Sequence, residues 1–70
     1  MKVQAAGELG AFIRHRRRAM GWTQRELADW SGVSTVFLSE VENGKATVQL
    51  DKVLAVTTML GCDVQIEARD

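Results

Sequence analysis

Between Thr23 and Lys45 the chain reads TQRELADWSGVSTVFLSEVENGK, and few folds accommodate that stretch. Two short runs of helical apolar spacing meet at a glycine. Thr23 with Glu26 three residues on makes a T-x-x-E start, in which side chains satisfy the free amides of a helix N-terminus. Leu27, Ala28 and Ser31 then share an inward face. Gly32 supplies the sharp turn and Val33 packs beneath it. Ser34 caps the next helix, which buries Leu38 and Val41 and stops at Asn43-Gly44. The first helix of this pair props the second, and the remainder of the chain is its support.

The supporting elements are legible by period. From Gly7 to about Met20, Leu9, Ile13 and Met20 fall on one helical stripe, with Arg17 in the slot between the last two. Gly21 ends that helix and Trp22 staples the junction beyond it. After a loop to about Thr47, a last helix runs to Gly61. Its core stripe reads Leu50, Val53, Leu54, Thr57 and Leu60, leaving Ala55, Val56 and Met59 as surplus. From Asp63 to Ala68 the pattern alternates polar and apolar, which predicts a strand, and a lone strand needs a partner. The expected fold is all-α. One compact domain over residues 1–70 has four helices, or five, in a core of about 7–61, and a short strand at about 63–68.

Seventy residues bury only a thin core. The sole cysteine, Cys62, allows no internal disulfide, and with the sole histidine, His15, it cannot build a zinc site. No metal and no cofactor is expected, a second subunit is the remaining stabiliser, and a reduced cytoplasmic setting fits. No apolar run spans a bilayer and no secretory leader is expected. Neither is a longer disordered tail after Asp70. The net charge of zero hides an asymmetry. Residues 1–25 carry six bases against Glu8 alone, giving +5, and residues 26–70 carry three bases against eight acids, giving −5. A chain so divided presents a basic face to one partner and an acidic face to another, or else an arginine run solvated on a helix surface.

The second helix of the pair points to double-stranded DNA. With Leu38 and Val41 inward, Thr35, Val36, Ser39 and Glu40 face away. Short side chains let a helix approach the floor of a major groove. There Thr35 and Ser39 hydrogen-bond base edges, Val36 meets a thymine methyl and Glu40 accepts from a cytosine amino group. Glu40 is equally readable as a solvated acid. Phosphate contacts are expected from Gln24 at a helix N-terminus, from Asn43 and Lys45, and from Arg14 or Arg18. For Gln24 the alternative is an ordinary first-turn residue, and for Asn43 a helix terminator. Arg17 and Glu42, opposite charges at core-edge positions, are expected to pair and fix the helix angle. A nucleophile–base pair, a metal cluster and a phosphate-cradling loop are all missing from the pattern, so an enzyme is not expected.

The run G-W-T-Q-x-E-L-A followed by G-V-S-x-x-x-L-S-x-V-E-N-G-K resembles the Cro/C1-type (XRE) helix-turn-helix family over residues 8–61. The resemblance implies a DNA-binding domain that acts as a homodimer on palindromic operators. It places Gln24 at the phosphate-binding glutamine, Thr35, Val36, Ser39 and Glu40 on the base-reading face, and Arg17 with Glu42 as an internal ion pair. Glu40 departs from the glutamine common at that position. The Gly-Trp-Thr-Gln start and the terminal strand from Val64 to Ala68 are similar to HipB-type antitoxins. That likeness implies strands paired across a dimer and a HipA-type kinase toxin as partner.

The dimer also follows from the surplus apolar residues, with Val56, Met59, Leu60, Val64 and Ile66 as interface candidates. In the alternative, Val56 and Met59 thicken the core and the tail stays unordered. Function is therefore expected to be that of a sequence-specific repressor, the antitoxin of a toxin–antitoxin operon. A stand-alone small regulator, or a protein-interaction adaptor working through Trp30 and the acidic half, are the alternatives.

Overall fold

The computed structural model describes residues 2–69. Its four helices are α1 (Ala6–Ala19), α2 (Gln24–Ser31), α3 (Thr35–Glu42) and α4 (Leu50–Met59). There is no fifth helix among the described residues. α1 packs on α3, and α2 sits between α3 and α4. Ile13, Leu27, Ala28, Leu38, Val56 and Leu60 are fully buried, with Val41 and Val53 nearly so. Leu9, Trp22, Val33, Phe37, Val48 and Cys62 close the margins of that core. Met20, expected on the inward stripe of α1, instead ends the helix and is exposed.

Local chemistry explains the helix limits. The capping box at α2 is complete: the Glu26 amide donates to Thr23 Oγ1 at 3.1 Å, and the Thr23 amide to Glu26 Oε1 at 2.9 Å. Ser34 Oγ accepts from the Phe37 amide at 3.0 Å and starts α3. Between them Gly32 adopts φ 73°, the left-handed conformation that lets the Val33 amide reach back to the Ala28 carbonyl at 3.0 Å. The 3.0 Å bond turns the chain within one residue, so α3 leaves α2 at a fixed angle.

The fourth helix is rotated from its expected orientation. Val53, Val56, Thr57 and Leu60 point inward, whereas Leu50 and Leu54 are exposed. Val56 and Leu60 therefore fill the monomer core and are not interface residues. Apolar residues surround so much of α4 that two neighbouring stripes satisfy the 3.6 period, and packing against α2 decides between them. Thr57 tolerates burial because its hydroxyl donates to the Leu54 carbonyl at 2.9 Å.

Residues 63–69 form neither helix nor strand, since none of the described residues pairs with them as a neighbouring strand. Ile66 is 95% exposed and Val64 55%. The tail and the N-terminal segment flank an open groove lined by Val3, Leu9, Phe12, Leu50, Leu54 and Val64.

Candidate nucleic-acid interface

α3 is held by its inner face and by one carboxylate. Leu38, Val41 and Glu42 are buried. Both Glu42 oxygens are engaged by Arg17, whose Nε donates to Oε2 at 2.8 Å and Nη2 to Oε1 at 2.9 Å. Arg17 Nη1 also donates to the Trp22 carbonyl at 2.9 Å, joining α1, the junction and α3. Gln24 Nε2 adds a bond to Glu42 Oε1 at 3.1 Å, and Arg14 Nε another at 3.3 Å. Burial alone would lift the Glu42 carboxyl, but the donors from Arg17, Gln24 and Arg14, with the Arg17 charge, hold it below the ordinary carboxylate range. The hydrogen bond to Glu42 in turn holds the Arg17 guanidinium above its usual value, against desolvation.

Close approach of α1 to α3 depends on Gly10, a residue with no signal in the periodicity. A Cβ there would overlap the Val41 carbonyl oxygen and lie 2.9 Å from that of Glu42. Only a bare α-carbon lets the helices meet at the point where the Arg17–Glu42 pair forms.

The outer face of α3 carries the four residues expected to read bases. Thr35 and Val36 are exposed, Val36 at 69%, and Ser39 and Glu40 are half-buried. Of the residues expected on phosphates, Arg14, Gln24, Asn43 and Lys45 cluster at one end of the same helix and are already bonded there. Arg14 Nη2 donates to Asn43 Oδ1 at 2.7 Å, and Asn43 Nδ2 to Ser39 Oγ at 3.4 Å. Lys45 Nζ meets Glu40 Oε2 at 2.6 Å. Arg18 is exposed on α1. Two features were not read from sequence: the Lys45–Glu40 bridge, and Lys52 Nζ seated 5.7 Å from the ring centre of half-buried Phe37. Neither pair lies at the i, i+3 or i, i+4 spacing by which helical neighbours are recognised.

A model of the family described as "Helix-turn-helix domain" matches residues 8–69. The chain belongs to that family. It has relatives among named regulators. One is an HTH-type transcriptional regulator of Sinorhizobium fredii, y4mF, 37% identical over 67 residues that cover 96% of this chain and 88% of that protein. Among solved structures, the restriction-modification controller protein C.AhdI of Aeromonas hydrophila matches with a TM-score of 0.75 at 31% identity, over 83% of this chain and 88% of that one. A chain from the HipA–HipB–O2–O3 complex matches with a TM-score of 0.88 over 100% of this chain and 99% of its own, at 23% identity. That last likeness establishes a shared fold. This helix-turn-helix chain is thus a transcriptional regulator by family, and among its described residues no helix is long and apolar enough to cross a membrane.

Proposed function

We propose that this regulator is a sequence-specific DNA-binding repressor that acts as a homodimer on a palindromic operator. α3 lies in the major groove, where Thr35, Val36, Ser39 and Glu40 meet base edges. Gln24, Asn43, Lys45, Arg14 and Arg18 contact the flanking phosphates and set register. The observation that carries this reading is the outer face of α3, exposed at Thr35 and Val36 and half-buried at Ser39 and Glu40, while the inner face is fixed through Leu38, Val41 and Glu42. Arg17 and Glu42 hold the reading helix at its angle and touch no DNA.

A second copy covers the apolar groove between the two ends of the chain. Leu50 and Leu54 replace Val56 and Leu60 among the interface residues, beside Met59, Val64 and Ile66, all of them exposed in the monomer. Pairing of the 63–68 segments across the two-fold axis satisfies backbone groups that lack partners within one chain. The operator of such a dimer has two half-sites about one helical turn, roughly 34 Å, apart.

Within this reading the partner is a HipA-type kinase toxin and the chain its antitoxin. Supporting it is the fold likeness, over the whole chain, to a chain of the HipA–HipB–O2–O3 complex. Selecting bound duplexes from random DNA tests the first claim. The expected result is a palindrome whose base preferences change in the Thr35→Ala, Ser39→Ala double variant. A chain that enriches no sequence overturns the repressor reading. Absence of any co-purifying kinase-like protein from the native host would remove the antitoxin role and leave a stand-alone regulator.

A further inference from the structure

Glu40 is the one acid on the outer face of α3, and it does not stand alone. Lys45 Nζ lies 2.6 Å from its Oε2, with the two side chains 48% and 39% exposed. The backbone builds this contact. Gly44 at φ 84° turns the chain back, so that the Lys45 amide donates to the Glu40 carbonyl at 3.0 Å. The turn is backed by α1, since a Cβ on Gly44 would lie 2.9 Å from the Gly7 α-carbon. The lysine is therefore delivered onto Glu40 by a buttressed turn and not by chance of a long side chain. The pairing matters because the two groups have opposed preferences in DNA. An ammonium seeks phosphate, whereas a carboxylate offers only acceptors and is repelled by phosphate, guanine O6 and N7, and thymine O4.

Resting on the DNA-reading proposal, we infer that Glu40 and Lys45 form a specificity lock that only a matching base pair opens. On unmatched DNA the pair stays closed: Lys45 is spent on Glu40 and adds no phosphate contact. On the operator an exocyclic amino group, of cytosine or adenine, donates to Glu40 in place of the lysine. Lys45 then swings to the nearest backbone phosphate. One correct base thereby yields two contacts, and one wrong base forfeits both. Glu40 is the specificity-determining residue and Lys45 the group that converts the match into affinity.

The test compares wild type, Glu40→Ala and Lys45→Gln on the selected duplex and on random duplex, each across a salt series followed by fluorescence anisotropy. Glu40→Ala should raise affinity for random DNA, lower the ratio of specific to random binding about tenfold, and erase preference at one symmetric pair of positions. Lys45→Gln should reduce the salt slope on the selected duplex by about one per protomer and leave the slope on random DNA unchanged. Both substitutions lie at the surface, and unfolding curves are to be compared with wild type to check that each variant is folded. An unchanged base preference in Glu40→Ala, or an equal loss of slope on both duplexes in Lys45→Gln, overturns the lock. A wild-type chain that selects no duplex overturns the DNA-reading proposal itself, and the lock with it.

Discussion

Glu42 is the residue on which the geometry of the reading helix converges, because its fully buried carboxylate collects donors from Arg17, Gln24 and Arg14. Replacing it with glutamine leaves the Arg17 guanidinium without its counter-charge, which should cost about 3–5 kcal/mol of stability by urea unfolding. The same carboxylate should govern acid sensitivity. Its folded pKa lies below the ordinary 4.5, so its contribution is complete above that value and is lost as pH falls through the lower folded value. Acid titration of wild type against Glu42→Gln, by circular dichroism, should show the steeper loss in wild type. A smaller effect of opposite sign is expected at Ser31, whose hydroxyl is buried without a protein partner. Ser31→Ala should be neutral or raise stability by up to about 1 kcal/mol. The ion pair was legible in sequence because Arg17 interrupts an apolar stripe, and a charge in such a slot needs an opposite one nearby. Its further donors, Arg14 and Gln24, were not, since nothing in the spacing ties them to α3.

Among the elements, α2 and α3 were readable almost to the residue because each begins with its own capping side chain, Thr23 and Ser34. Thr23→Ala removes half of a reciprocal cap and should cost about 1 kcal/mol. α4 was harder. With apolar side chains around most of its circumference, its period could not choose between the stripe containing Leu50 and Leu54 and the one containing Val56. The choice belongs to tertiary packing against α2, which sequence spacing does not encode. Gly10 is the clearest case of a position invisible to pattern, being an unremarkable glycine within a helix. Gly10→Ala should force α1 away from Val41 and Glu42, lowering stability by about 1–3 kcal/mol although alanine favours helix. Thermal unfolding of that variant reads the outcome directly.

For the whole molecule, the chain is basic over residues 1–25 and acidic over residues 26–70, and exposed apolar side chains gather at its two ends. The alternation from Asp63 to Ala68 was visible in sequence, but a strand exists only with a neighbour, and none of the described residues supplies one. If a second copy does, Leu54→Asp with Ile66→Asp should give a monomer in sedimentation at micromolar concentration. Its helical content should be retained, since both side chains are exposed. The same double variant should bind DNA more weakly, as two half-sites would no longer be held together. What the account depends on most is that the surface beginning at Thr35 meets nucleotides. Backbone amide exchange, followed with and without the selected duplex, locates the contact. The expected result is protection concentrated from Gln24 through the turn and along Thr35 to Lys45, and its absence there, with protection appearing on another face, would contradict the account.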